Sequence, residues 1–229
     1  MKTILLAAGL GTRLRPLTEN IPKCLVPIKG KPLLQIWIEN LHAAGISNFL
    51  INTHYLYDKV NLFLSTIPFS RNCLVVYEKS LLGTAGTLFA NINFSGKEDL
   101  MLVHADNYCL ADFKAFINAH KQRPKNCLIT MMTFRTDTPK SCGIVEIDNQ
   151  NIVVGFHEKV DNPPGNLANG AVYILSTEFI EIFKEKFSFA SDFSTEVLHH
   201  FINKIYTYES RNIFIDIGTI ENYNKANLC

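Results

Sequence analysis

Apolar residues follow two rhythms along this chain. Over roughly the first 125 residues, short apolar runs alternate with stretches whose apolar positions recur at helical spacing. The runs Lys2-Thr3-Ile4-Leu5, Phe49-Leu50-Ile51-Asn52, Leu74-Val75-Val76-Tyr77 and Leu100-Met101-Leu102-Val103-His104 predict four buried strands. Between them, Leu34, Ile38 and Leu41 predict a helix over 33–44 with Gly45 as its C-cap, and further helices are expected at 60–64, after Gly83 and over 111–120. Alternating strands and helices imply right-handed crossovers and a parallel sheet, hence an α/β fold. From Cys127 the rhythm changes to short β runs at 128–134, 143–147, 152–156 and 171–175, with one helix over 177–184 and a hairpin turn at Asp148-Asn149-Gln150-Asn151. The loop Asp161-Asn162-Pro163-Pro164-Gly165 is no domain linker, because β pattern resumes after it. No internal repeat occurs. The chain reads as one domain, 1–229, with halves at about 1–125 and 126–229.

In a parallel sheet, ligands bind beyond the carboxyl ends of the strands. The first strand ends in Leu6-Ala7-Ala8-Gly9-Leu10-Gly11-Thr12-Arg13-Leu14-Arg15-Pro16-Leu17-Thr18, with Pro22-Lys23 soon after. Glycines there let the backbone approach a bulky group, and a loop of this kind turns amides toward an anion. Arg13 and Lys23 add cations, so the loop suits a polyphosphate. A dinucleotide fingerprint would need glycine at Leu14, and a P-loop would need Gly-Lys-Ser/Thr; neither is present. Gly-x-Gly alone is equally an ordinary strand-ending turn, but such a turn requires none of Thr12, Arg13, Pro22 and Lys23.

Gly9-x-Gly11-Thr12-Arg13-Leu14-x-Pro16-Leu17-Thr18, then Pro22-Lys23, Pro27 and Gly30-Lys31-Pro32-Leu33, resembles the sugar-1-phosphate nucleotidyltransferases, and later segments continue the resemblance over nearly the whole chain. It implies a Rossmann-like fold, a mostly parallel central sheet with a smaller β-rich sugar-binding lid, and an enzyme that joins a nucleoside triphosphate to a sugar 1-phosphate. Arg13 and Lys23 are then the triphosphate clamps. Leu6, Ala7, Ala8, Gly9, Gly11 and Thr12, with Glu78, Gly83 and Thr84, are the nucleotide-binding set. Gly143, Glu158, Lys159 and Asn169 match the sugar-phosphate-binding positions.

Asp106, after the fourth strand, and Asp216, in Phe214-Ile215-Asp216-Ile217-Gly218-Thr219, match the family's Mg²⁺ ligands. A charge inside the apolar run at 214–217 is costly unless it is paired or bound to metal. At Asp106 the family carries Gly-Asp and this chain Ala-Asp, which questions the loop geometry. His104 reads as a core or supporting residue. His199-His200, on different helix faces, make a poor metal pair.

Within the family, Phe187-Ser188-Phe189 with Asp192-Phe193, and the run around Asp216, resemble mannose- and heptose-1-phosphate guanylyltransferases. Ile51-Asn52-Thr53-His54 resembles muramate-type uridylyltransferases. Glu78 bears on this choice: a carboxylate can accept from both N1–H and N2–H of guanine but opposes a carbonyl of uracil. GTP is therefore expected, with UTP as the alternative; the other reading of Glu78 is a solvated strand-end residue, with backbone amides near Ala8 choosing the base. A non-catalytic nucleotide-sugar-binding homologue should lack one of Arg13, Lys23, Asp106 or Asp216, and all four are present.

Composition narrows the partners. Of 229 residues, 47% are hydrophobic and 19% charged, as in globular proteins. A formal charge of +1 offers no general attraction to nucleic acid or anionic membrane. Six scattered cysteines without a C-x-x-C pair argue against zinc and for thiols in a reducing compartment, the cytoplasm. No run is long enough to span a membrane, and no signal peptide is recognised. The Phe-rich run from Phe179 to Phe201 either packs this half or forms a subunit contact, which leaves a homo-oligomer open.

Overall fold

Thr3, Ile4 and Leu5 are completely enclosed, and the strand they form begins the element order. It runs β1 (Lys2–Leu6), β2 (Pro27–Ile28), β3 (Lys31–Pro32), α1 (Leu33–Ala43), β4 (Phe49–Thr53), α2 (Tyr57–Thr66), β5 (Cys73–Tyr77), α3 (Gly83–Ala90), β6 (Leu100–His104), β7 (Asn107–Cys109) and α4 (Phe113–Gln122). The order continues with β8 (Ile129–Arg135), β9 (Gly143–Ile147), β10 (Val153–Glu158), β11 (Leu167–Leu175), α5 (Thr177–Lys186), α6 (Phe193–Glu196), β12 (Ile205–Glu209), β13 (Phe214–Asp216) and α7 (Ile220–Leu228). The computed structural model describes residues 1–229 and divides into two compact units. One comprises Met1–Leu81, Val103–Phe113 and Asn212–Cys229; the other comprises Leu82–Leu102 and Lys114–Arg211.

The first unit is α/β with a parallel sheet. β1 pairs in parallel with β4, and β4 with β5, so Leu6, Asn52 and Val76 lie on one rung. All five residues of β4 are buried, as expected of a central parallel strand. Leu33, Leu34, Trp37, Ile38 and Leu41 form the enclosed stripe of α1. Trp37 also donates from Nε1 to the Asn107 carbonyl at 2.8 Å and packs against Phe113, so the single tryptophan is core. Two-stranded pairings, β2 with β3 and β7 with β13, complete this unit.

The second unit is β-rich, and it is no smaller than the first because it also takes α3 and the start of β6. β8 and β11 are antiparallel, as are β9 and β10, and β12 runs parallel to β8. Phe179, Phe183, Phe193 and Phe201 are buried together, and Phe193 also packs on Tyr173, with ring centroids 4.8–6.4 Å apart. Most of the Phe-rich run is therefore core; Phe189, 99% exposed, is the exception.

Several elements depart from the sequence expectation, and β2, β3, β7 and α7 have no counterpart in it. β11 starts at Leu167 rather than 171, because a register shift between Asn169 and Tyr173, with Ala171 at φ +52°, breaks the alternation on which the reading depends. α4 starts at Phe113, two residues later than expected. β12 has no counterpart in the prediction, although Ile-Tyr-Thr-Tyr is a run of strong β formers whose Ile205 and Thr207 face inward.

Candidate active site

Two close approaches shape the loop after β1. Gly11 adopts left-handed backbone at φ +64°, and a Cβ there would lie 3.0 Å from the Thr18 methyl and 3.1 Å from Lys23 Cβ. Thr18 Oγ1 donates to the Gly11 carbonyl at 2.6 Å, and Leu14 N donates to the same oxygen at 3.0 Å. Any side chain at Gly11 would meet both backbone strain and a clash. Gly9 has no protein atom within 4 Å of its Cβ position. With Gly11, Arg13, Lys23, Asp106 and Gly218 it lines a recess of about 320 Å³.

Lys23 is the hub of that recess. Its Nζ lies 2.8 Å from Asp106 Oδ2 and 3.8 Å from Asp216 Oδ1. The lysine is 6% exposed, whereas the two acid side chains are 40% and 51% exposed. One recessed cation thus sits behind two accessible carboxylates. Desolvation pushes the Asp106 carboxyl up, but the charges of Lys23 and His104 and the Lys23 hydrogen bond outweigh it and hold the group below the usual carboxylate value.

Short local elements place these groups. Ala105 N donates to the Leu6 carbonyl at 3.1 Å, which pins the end of β6 beside the end of β1. Ala105 is not among the residues with positive φ, so alanine meets no backbone obstacle there. β7 then pairs with β13, with Asn107 opposite Asp216, and this register brings two carboxylates together across 110 positions of sequence. The residues after Asp216 serve the same arrangement. A Cβ at Gly218 would lie 3.0 Å from the Arg13 guanidinium, so glycine makes room for that side chain. Thr219 caps α7 by accepting from Asn222 N, and Asn222 Nδ2 donates back to the Asp216 carbonyl at 2.9 Å.

The neighbouring Cys24 is enclosed, at 1% exposure. Burial pushes the Cys24 thiol up to about 12, so it is protonated at neutral pH. All six cysteines are free. Among all residues, no group of three or more His, Cys, Asp or Glu side chains converges as a metal cage.

Sequence reasoning assigned no role to Asn52. Its Oδ1 accepts from Ala7 N at 2.7 Å, and its Nδ2 donates to Glu78 Oε1 at 2.9 Å. Both side chains are buried, Glu78 at 5% exposure. The available signal was a primary amide at the end of an otherwise apolar strand, since a buried amide requires partners.

In the second unit, β9 and β10 set Gly143 directly opposite Glu158. A Cβ at Gly143 would lie 2.5 Å from Glu158 Oε2 and 2.9 Å from the Phe156 ring, so glycine allows the glutamate to lie across the ladder. Lys159, at φ +50°, pairs with Glu158 Oε1 at 3.2 Å. Asn169 is held at both ends: Oδ1 accepts from Ala171 N and Nδ2 donates to the buried Tyr173 hydroxyl. Gly143→Ala should force the Glu158 carboxylate and the Phe156 ring to shift and lower stability by about 1–3 kcal/mol, which thermal unfolding checks. Segment 191–193 packs on the first turn of α3. Ala85 N donates to the Ser191 carbonyl at 2.9 Å, Phe193 N donates to Thr84 Oγ1 at 2.7 Å, and a Cβ at Gly83 would clash with the Ser191 carbonyl. His199 and His200 contact different rings, Phe156 and Phe187.

Comparison with known proteins places this geometry. The family described as Nucleotidyl transferase matches residues 2–229. D-glycero-alpha-D-manno-heptose 1-phosphate guanylyltransferase of Campylobacter jejuni is 30% identical, with 97% of each chain covered. The enzyme of the same name from Aneurinibacillus thermoaerophilus is 28% identical, covering 99% of this chain and 96% of that one. A putative mannose-1-phosphate guanyltransferase of Sulfolobus acidocaldarius is 29% identical over this whole chain, which spans 62% of that protein's length. Among solved structures, HddC from Yersinia pseudotuberculosis complexed with GMP-PN superposes with a TM-score of 0.82 at 26% identity, covering 99% of this chain and 98% of that one.

Proposed function

The chain belongs to the nucleotidyl transferase family, and from that premise we propose that it transfers GMP from GTP to a mannose- or heptose-type sugar 1-phosphate, forming a GDP-sugar and pyrophosphate. The observation that carries the reaction type is Lys23 Nζ within 4 Å of both Asp106 and Asp216 beneath the glycine loop. Guanine and the sugar class rest on the guanylyltransferase relatives that match end to end.

The chemistry needs no general base. A phosphate oxygen of the sugar 1-phosphate, ionised at neutral pH, bonds to the α-phosphorus, and the bond from that phosphorus to the bridging oxygen of pyrophosphate breaks. The protein's task is to align two anions and to stabilise charge on the α-phosphoryl group and the leaving group. Arg13, exposed over Gly218, and Lys23 bind phosphate oxygens in this reading. In the second unit, Glu158 accepts sugar hydroxyls, Lys159 meets the sugar phosphate, and Asn169 contacts the sugar from its bulge.

Asp106 and Asp216 fit a Mg²⁺ ion. Two carboxylates leave coordination positions for phosphate oxygens and water, the usual Mg²⁺ arrangement at nucleotide sites. The recess also needs the charge: Arg13 and Lys23 are balanced by the two acids, so the triphosphate requires a further cation. When bound, the ion would neutralise charge on the phosphate oxygens. No helix is long and apolar enough to cross a membrane, and we assign the protein to the cytoplasm, where nucleoside triphosphates are available.

A panel of GTP, UTP, dTTP, CTP and ATP against sugar 1-phosphates, read as pyrophosphate release, tests the proposal. GTP with a manno-configured sugar phosphate is expected to give the highest kcat/KM. A preference for UTP with another sugar would overturn the guanylyl assignment and leave the family unaffected.

A further inference from the structure

We propose that Asn52 and Glu78 act as one positioning unit that sets the nucleotide loop, so that Glu78 influences the nucleotide through Asn52 and not by touching the base. The inference rests on the nucleotide site proposed above. It begins from the orientation of one amide. Asn52 Oδ1 takes the Ala7 N–H at 2.7 Å while Nδ2 gives a proton to Glu78 Oε1 at 2.9 Å. Flipping the amide would set N–H against N–H and carbonyl against carboxyl, so both partners impose the same orientation.

The position of this unit gives it leverage. Ala7 is the first residue beyond β1, Asn52 stands on the rung next to Leu6, and Glu78 is the first residue beyond β5. A single side chain therefore ties the departure of the loop from β1 to the ends of β4 and β5. Glu78 is fixed from its backbone as well, because its N donates to the Thr53 carbonyl at 2.8 Å and its carbonyl lies 2.8 Å from His54 Nδ1. Ala7 precedes Gly9 by two residues, so an error in the loop's exit from the sheet passes directly to the wall of the recess.

The arrangement predicts a rescue that a solely structural role would not produce. In Asn52→Asp the new carboxylate can still accept from Ala7 N but faces the carboxyl of Glu78. Adding Glu78→Gln supplies a side-chain amide that can donate to the new carboxylate, which restores both bonds with the donor reversed. Kinetics in each substrate and calorimetric binding of GTP without sugar phosphate read the result. Asn52→Asp should raise the GTP KM and Kd about tenfold or more, leave the sugar-phosphate KM within about twofold, and return to within about threefold of wild type when combined with Glu78→Gln. Glu78→Ala should weaken GTP about tenfold, while Glu78→Gln alone costs less and keeps the order of triphosphate preference.

Several outcomes would overturn the unit: an unchanged GTP Kd in Asn52→Asp, a double variant no better than the single, or equal losses toward both substrates. A change of preferred triphosphate in Glu78→Gln would show direct reading of the base instead. If Asn52→Asp does not fold, the double variant carries the test, with a GTP Kd within about threefold of wild type in favour and about tenfold above it against. Failure of the proposed function is separable: a wild type that turns over no GTP in the substrate panel denies that reading, whereas the rescue is measured on GTP binding alone.

Discussion

Lys23→Ala and Arg13→Ala are each expected to lose about 3 kcal/mol of transition-state stabilisation, on the order of a hundredfold in kcat/KM, because in the proposed reaction each side chain makes a charge-assisted contact to a phosphate oxygen. The two variants should differ in stability. Arg13 is exposed, so its removal should leave thermal unfolding within the small range typical of surface changes. Lys23 is buried and is the counter-ion that offsets the desolvation of Asp106. Its loss should lower the melting temperature as well as the rate, and should weaken the site's acids along with its cations. Kinetics paired with thermal melts separate the effects. Near wild-type turnover in either variant would remove that residue from the phosphate-binding role.

The second large effect concerns the carboxylates. Asp106→Asn and Asp216→Asn should each lower turnover by about a hundredfold or more and raise the Mg²⁺ concentration needed for half-maximal rate, because each would take one of the two charged oxygen ligands from the proposed Mg²⁺ site. EDTA should silence the wild type, and added Mg²⁺ should restore it. Asp106→Asn should have the larger structural consequence, because it removes the charge from the 2.8 Å ion pair with the buried Lys23, whereas Asp216 lies 3.8 Å from that lysine. Full activity in EDTA would remove the metal role from both residues.

The separation between local and tertiary information is visible at individual residues. Gly11 illustrates the local kind. Its need for left-handed backbone belongs to the turn that carries the chain out of β1, so the motif around it could be read directly. The parallel order of β1, β4 and β5 was equally legible, since buried parallel strands write themselves as continuous apolar runs. Asp216 stands between the two kinds. A charge within an apolar run announces that it needs a partner, but only the pairing of β13 with β7, a ladder too short to leave a periodic trace, identifies Lys23, shared with Asp106, as that partner.

Other assignments depended wholly on the tertiary structure. Glu78 reads from sequence as a strand-end acid free to face a base; in the fold it is buried and bound to Asn52, 26 residues earlier. Gly83 and Thr84 open a helix at whose first turn segment 191–193, more than 100 residues later, bonds the Thr84 hydroxyl and the Ala85 amide. The sequence by itself determined the α/β alternation and the glycine loop with Arg13 and Lys23 near it, because local spacing encodes them, whereas the pairing of Asp106 with Asp216 is implied there only by the family resemblance. The three-dimensional structure alone decided which buried polar atoms satisfy one another. That choice follows from hydrogen-bond geometry between segments distant along the chain, and no local periodicity records it.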